Sequence, residues 1–257
     1  MIKTFFSSLR IIFYLFILVL VYVFYLSRDL PSLERLETFD PAMLSTLYDR
    51  NGEVIGEFYI QKRVFVDIED MPNHLKNAAI ASEDKRFYSH WGVDLQSFFR
   101  AVVVNVSSMS FRQGFSTLSQ QLARNLYKEV GFKDSITRKL KEMITAIQIE
   151  RTYTKDEILE MYLNTVHFGH GTYGAESAAK RFFNKNASDL TIGESAMLIG
   201  LLPSPANYSP LRNLNKAIGR RSIVLKLMYN QDFISYQEYM EHNSIVPDNI
   251  YYEIPKG

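Results

Sequence analysis

The run from Ile11 to Leu26, unbroken in apolar and aromatic side chains and bounded by Arg10 and Arg28, constrains this chain more than any other stretch. Such a segment avoids water, and in a bilayer a helix satisfies its own backbone. With Leu9 and Ser27 it falls slightly short of the roughly 20 residues that span a membrane. Tyr22 and Tyr25 near its far end suit an interface. A cleaved signal peptide is the rival reading, but Ser27-Arg-Asp-Leu-Pro lacks a small-x-small cleavage site and the run is longer than most signal cores. Lys3 and Arg10 before it, against Arg28 and Arg35 after it, lean only weakly towards an inside amino terminus. The expected organisation is a tail and transmembrane anchor over 1–28, a polar linker over 29–45, a body over 46–245 and a carboxyl-terminal tail over 246–257.

The body reads as one mostly helical domain. Asn51-Gly52 is a two-residue turn signal between strand-like runs, so a small hairpin is expected near its start. From Pro72 the period is helical: Leu95, Phe98, Phe99, Val102 and Val106 share a stripe, as do Leu118, Leu122 and Leu126, and Ile136, Leu140, Met143, Ile144 and Ile147. Thr117 with Gln120, Thr154 with Glu157 and Thr191 with Glu194 have capping-box spacing. Asn213 to Tyr229 and Ser235 to Glu241 read as the last helices. A chain of 257 residues has ample core. Its formal charge of +1 creates no global field for nucleic acid, so an ionic partner must be met by a local patch. With no cysteine, disulfides, Cys-ligated zinc and thiol catalysis are excluded.

Three clusters carry chemistry. Ala81-Ser-Glu-Asp-Lys-Arg-Phe-Tyr-Ser-His-Trp-Gly92 sets two adjacent carboxylates at the end of a nearly apolar run. Desolvation there favours the neutral acid and makes Glu83 a better proton acceptor near neutral pH. The bland alternative is a helix end with a solvated charge cluster. In Gln113 to Asn125, a Gly-containing loop enters a helix whose first turn holds Ser116, Thr117, Gln120 and Gln121, with Arg124 and Asn125 about two turns on. Helix amino termini favour anions, and these side chains suit sugar or phosphate, although a solvated, capped helix is the plain alternative. Lys133 and Arg138-Lys-Leu-Lys-Glu142 make a cation-rich face fit for a diphosphate, or else an ordinary salt-bridged surface.

In order and spacing these clusters resemble the motifs of the peptidoglycan glycosyltransferases (glycosyltransferase family 51), which comprise monofunctional enzymes and the amino-terminal domains of class A penicillin-binding proteins. Glu83-Asp-Lys-Arg-Phe87 with His90 and Gly92 resembles the first motif. Gly114-Phe-Ser-Thr with Gln120-Gln-Leu-Ala-Arg-Asn125 resembles the second, and Arg138-Lys-Leu-Lys-Glu142 the third. Glu157-Ile-Leu-Glu-Met-Tyr-Leu-Asn164, then Phe168-Gly-His-Gly-Thr-Tyr-Gly174, resembles the fourth. Leu201-Leu-Pro-Ser-Pro-Ala-Asn-Tyr-Ser-Pro210 resembles the closing segment. The match runs from about Ser45 to about Glu241. Phe115 stands where a second Gly is usual and Arg124 where Lys is usual; Arg keeps the charge, while Phe115 is expected to stiffen or reshape the loop.

The resemblance implies a lysozyme-like helical domain of two lobes, and the inverting transfer of a lipid-linked glycan to the 4-hydroxyl of lipid II with release of undecaprenyl pyrophosphate. It implies Glu83 as general base and Glu142 on the donor side. Asp84, Arg86, Phe87, His90, Arg100, Gly114, Ser116, Thr117, Gln120, Gln121, Arg124, Asn125, Arg138, Lys139 and Lys141 are then expected to bind substrate. Mg²⁺ or another divalent cation commonly joins a diphosphate, but no ligand set here is complete, and no organic cofactor is expected. Lipid II, the lipid-linked strand, membrane lipids and other cell-wall synthesis proteins are the implied partners. The implied setting is a single-pass inner-membrane protein with a periplasmic catalytic domain. Met109 and Phe111 are membrane-contact candidates; Val102, Val103 and Val106 read equally well as core.

Ser177-Ala-Ala-Lys180 has the Ser-x-x-Lys spacing of penicillin-binding transpeptidases, but no Lys-Thr-Gly or Ser-x-Asn follows. A chain without transpeptidase activity is expected. His167 and His170 read as loop or core histidines and His74 as surface. A lytic glycosidase also needs acids in a helical cleft but has no diphosphate to hold. A silent membrane scaffold would not need every catalytic position filled.

Overall fold

The computed structural model describes residues 2–28, 30, 32–33, 45–48, 50, 54–58, 64–108, 116–129, 136–245 and 250. Helix α1 runs over Ile2–Ser27, about 39 Å at the usual rise of roughly 1.5 Å per residue. Side chains at 11, 12, 15, 16 and 19 lie outside the described set. Among the described residues no helix is long and apolar enough to cross a membrane. The helix itself forms where the apolar run predicts it; the spanning expectation rests on the sequence.

Strands β1 (Ser45–Tyr48) and β2 (Val54–Phe58) pair antiparallel, Ser45 opposite Phe58 and Tyr48 opposite Val54, with a register shift between Leu47 and Tyr48. This is the expected hairpin; its Asn51-Gly52 turn lies outside the described residues, as do most of the linker and of the tail.

The body then follows as α2 (Asn73–Glu83), α3 (Leu95–Ser108), α4 (Leu118–Glu129), α5 (Ile136–Thr152), α6 (Lys155–Thr165), the small antiparallel pair β3 (His167–Gly169) and β4 (Thr172–Tyr173), α7 (Ala175–Phe183), α8 (Ile192–Leu201), α9 (Pro205–Tyr208), α10 (Leu214–Tyr229) and α11 (Tyr236–Ser244). Helices α2, α8 and α10 pack on one another, and α11 on α10; α4, α5 and α6 form a second group. Helix α7 joins the groups by touching both α6 and α8. One continuous apolar core runs through both, from Leu75, Ala78 and Ala79 to Leu118, Leu122, Tyr162, Leu198 and Val224.

Local sequence sets most of these boundaries. Thr154 and Glu157 form the reciprocal capping box that starts α6, and Thr191 and Glu194 the one that starts α8. Ser235 and Glu238 do the same for α11, and Asn213 caps α10 through Lys216 N. The fourth motif acts as a staple. Asn164 accepts from Val66 N at 3.0 Å and donates to Val66 O at 2.8 Å, while Glu160 accepts from Ile68 N at 2.7 Å. Residues 160 and 164 are four apart on one helix face, so together they hold an extended strand of chain as a sheet neighbour would.

Two local signals resolve differently in the fold. On α3 the stripe residues Leu95 and Phe99 are exposed, as is the core candidate Val103, while Ala101 is buried. A helix apolar on most sides does not encode which side it buries; neighbours decide. At Thr117 half a capping box forms: Thr117 Oγ1 accepts from Gln120 N at 3.1 Å, but the Gln120 side chain turns towards Lys139 instead of back to the cap.

Candidate active site

Glu83 is the last residue of α2, at the end of the buried run Ala78 to Ala81. Its half-buried carboxylate accepts from Gln121 Nε2 at 3.0 Å and from Ser82 Oγ at 3.3 Å. Burial pushes its pKa up; the bonds from Gln121 and Ser82 and the charge of Arg220 oppose this, and the charge of Asp84 adds to it. The negative end of the α2 dipole acts in the same upward direction. An acid so placed, at the end of a buried apolar run, is a proton acceptor of raised affinity.

Its neighbour Asp84 does different work. Asp84 Oδ2 accepts from His90 Nε2 at 2.8 Å and from Leu118 N, at the start of α4, at 3.0 Å. Gly92 N donates to His90 Nδ1 at 3.1 Å, so Nδ1 is an acceptor and the proton of a neutral imidazole sits on Nε2. Thr117 Oγ1 donates to Gly92 O at 2.6 Å. Gly92 has φ +102°, and a Cβ there would lie 2.6 Å from Ala146 O, so only glycine lets this loop press on α5. Arg86 pairs with Asp94, whose Oδ1 also caps α3 through Ser97 N at 2.9 Å. Burial acts against the Asp94 charge, but the bonds from Arg86 and Ser97 outweigh it and hold this acid below the usual carboxylate range.

Glu142 on α5 is fully buried. Arg138 Nε stands 3.2 Å and Arg124 Nε 3.5 Å from its Oε1, and Lys139 Nζ 3.4 Å from its Oε2. Lys139 Nζ also donates to Ser116 Oγ at 2.7 Å and to Gln120 Oε1 at 3.2 Å, and an Arg124 nitrogen donates to Ser116 Oγ at 3.3 Å. Burial pushes the Lys139 pKa down; Arg124 and Arg138 add to this and Glu142 opposes it. Three cations therefore crowd one carboxylate, each partly open to solvent on its other side. The salt bridges of this face are real, but they close on a fully buried carboxylate rather than on an exposed one. Gln120 Nε2 is buried with no hydrogen-bond partner, as are Arg124 Nε and Glu142 Oε1. Arg124 Nε and Glu142 Oε1 are ion-paired with each other without a geometric hydrogen bond, so Gln120 Nε2 is the buried donor there with a bond left to give.

Helix α4 joins the two acids. Gln121 bonds to Glu83 and Arg124 pairs with Glu142. Residues three apart share a helix face, so both acids address one side of α4 about one turn apart, roughly 4.5 Å along its axis.

Not every expected residue belongs to this face. Phe87 is fully buried, with the Lys155 ammonium 4.6 Å from its ring centroid. Asp84 and His90 are buried and hold the start of α4. Arg86 is spent on Asp94. Arg100 is exposed on α3 and bonds to Ser97 Oγ at 2.9 Å on its own helix. Asn125 ties α4 to Thr165 Oγ1 at 3.4 Å. Lys141 is buried beside Glu142 in sequence. Gly114, Phe115, Lys133, Met109 and Phe111 lie outside the described residues.

Four residues to which the sequence assigned no role of their own enter the site or its support. Tyr162 is buried and its hydroxyl donates to Gln121 Oε1 at 3.3 Å. Glu150 accepts from Ser119 Oγ and from Lys155 Nζ, and Lys155 Nζ donates to His90 O at 2.7 Å, which locks the first motif to α5 and α6. Arg220 of α10 faces Glu83 and stacks 5.2 Å from the Tyr208 ring centroid. Tyr162 lies within the fourth motif, which was its one legible signal; an Arg-Arg pair or a lone Glu on a helix carries none.

The family model described as transglycosylase matches residues 51–229. Penicillin-binding protein 1A of Neisseria gonorrhoeae is 43% identical over 224 residues, 87% of this chain and 27% of that protein. Penicillin-binding protein 1A of Aquifex aeolicus is 39% identical over 233 residues, 91% of this chain and 32% of that protein. A crystal structure of penicillin-binding protein 1A from Haemophilus influenzae, at 23% identity and TM-score 0.47, covers 81% of this chain and 21% of that one. The chain thus spans about a third or less of the length of these relatives. Both acids and all three cations around Glu142 fall within the matched segment, and the chain belongs to the transglycosylase family.

Proposed function

We propose that this chain is a peptidoglycan glycosyltransferase that joins lipid II units into β-1,4 glycan. The observation that carries this reading is a buried acid outnumbered by three cations, one helical turn along α4 from a half-buried acid of raised pKa. Glu83 takes the proton of the acceptor 4-hydroxyl as that oxygen attacks the anomeric carbon of the donor. The bond from this carbon to the phosphate oxygen breaks on the opposite face, with inversion, and the diphosphate leaves carrying the charge. Arg124, Arg138 and Lys139 receive that charge, the arginines as forked donors and Lys139 as a point charge. Glu142 keeps the three cations together without substrate, and Ser116 and Gln120 stand beside them. Asp84 and His90 serve binding indirectly, by holding α4, and Phe87 by packing in the core beside His90.

The residues around Glu142 do not suit a divalent cation held by protein alone, because the carboxylate already faces three positive charges. The two helix groups on one core support a lysozyme-like domain of two lobes. Helix α1 exposes Phe13, Tyr14, Leu18, Val21 and Phe24, an apolar surface suited to lipid rather than water. It supports a single-pass anchor with the catalytic body on the periplasmic side, where lipid II and the growing strand share its membrane.

The test is purified protein with lipid II in detergent. Glycan polymer with release of undecaprenyl pyrophosphate is the expected result, blocked by the phosphoglycolipid moenomycin competing for the donor side. Cleavage of finished glycan would instead establish a glycosidase, and no reaction at all would leave a scaffold.

A further inference from the structure

The bond partners of Gln121 divide its amide into two ends with different jobs. Nε2 donates to Glu83 Oε2 at 3.0 Å, and Oε1 accepts from the Tyr162 hydroxyl at 3.3 Å. Tyr162 belongs to α6 and Gln121 to α4, so among the described hydrogen bonds this amide links the phenol to the base. We propose that Tyr162 is a positioning residue: its hydroxyl dictates which end of the Gln121 amide faces Glu83, and thereby keeps Glu83 able to accept a proton. The proposal rests on the transferase reading for its catalytic meaning, though not for its geometry.

The physical argument is one of matched donors and acceptors. Burial first, and then the Glu83 charge, hold the Tyr162 phenol well above its usual range, so it stays an O–H donor. A phenol oxygen can also accept, but among the described contacts Gln121 Oε1 is the acceptor its buried proton finds, and reversing the amide would leave that O–H unmet; this selects Oε1 and turns the NH₂ group to Glu83. With the amide reversed, Oε1 would face the carboxylate oxygen, a repulsive contact unless Glu83 takes up a proton and donates. The observed orientation therefore favours the ionised acid, and the reversed one the neutral acid. Without the phenol's preference, the amide is free to reverse whenever Glu83 is protonated.

The other charges facing Glu83 do not supply this control. Arg220 comes from α10 and Asp84 adjoins it on the chain; Arg124 lies one turn beyond Gln121, where it pairs with Glu142. Glu194 of α8 faces His74 at the far end of α2. None of them touches the Gln121 amide among the described contacts.

The experiment is the pH profile of lipid II polymerisation by Tyr162→Phe, which keeps the buried ring. Its acidic limb should move to higher pH, with kcat/KM about three- to tenfold lower near neutral pH, KM little changed, and recovery as pH rises; one lost hydrogen bond is worth about that much. Gln121→Met should move the limb the same way, and adding Tyr162→Phe to it should move it no further. An unchanged limb in Tyr162→Phe, or an equal further shift in the double variant, overturns the proposal. Carboxyl ¹³C titration of Glu83 in the native and Tyr162→Phe proteins reads the same shift without turnover. If the native protein makes no polymer, the transferase reading falls while that titration still decides the role of Tyr162. In the native chain alone, the Gln121 side-chain amide signals must move as Glu83 titrates; a still signal also overturns the proposal.

Discussion

Glu83 and Glu142 are the same side chain in opposite surroundings. Glu83 is half-buried at the end of a buried apolar run, held by two neutral donors, with the charge of Arg220 acting on it. Glu142 is wholly buried and faces three cations within 3.5 Å. The first setting raises proton affinity and the second binds up negative charge. The difference teaches that the division of labour between the acids lies in what surrounds them, one face of α4 serving both.

The contrast can be broken by substitution. Glu83→Gln has the largest expected effect, a loss of about 10³-fold in polymerisation, the scale of a missing general base, measured with lipid II. The sign on stability is opposite. The folded protein holds the Glu83 proton more tightly than the unfolded chain, so native stability is higher below the unfolded pKa and falls as pH rises through the folded one. Glu83→Gln should therefore melt above native protein at neutral pH and level with it in acid; a lower melting point at neutral pH would show that burial does not govern this acid.

Glu142→Gln should do the reverse to stability. It leaves three cations crowded without their counter-charge, at a cost of about 3–5 kcal/mol, read by denaturant unfolding. Added inorganic diphosphate should restore part of that loss, which sharpens the contrast, since no anion is expected to rescue a change at Glu83. Gly92→Ala tests the shared support of both sites. A Cβ 2.6 Å from Ala146 O at φ +102° should cost about 1–3 kcal/mol or more and slow turnover by shifting α4. The smallest effect is expected from Arg220→Gln. Removing a cation that steadies the ionised Glu83 should move the acidic limb to higher pH with little change in melting.

Much of this fold is readable along the chain because its signals are local. A capping box spans four residues, and those at Thr154 and Thr191 form as their spacing predicts. At Thr117 the same spacing fails in part, because Lys139, nineteen residues beyond Gln120, offers the glutamine a charged partner. Likewise the apolar period of α3 did not reveal that Leu95, Phe99 and Val103 stay exposed, since that depends on which helices arrive beside it. The motif residues of the site were legible as a group, but not which of them face outward.

From the sequence alone came the helical body, the apolar first helix, and the pairing of an acid at the end of an apolar run with an acid among cations. Tertiary structure alone turned Asp84, Phe87 and His90 inward as supports, buried Glu142, and brought Tyr162 and Arg220 to Glu83. The reason is range. Helical period and capping act over four residues, whereas desolvation and the bonds that set a side chain's charge depend on neighbours such as Gln121, 38 residues from Glu83, which only packing brings near.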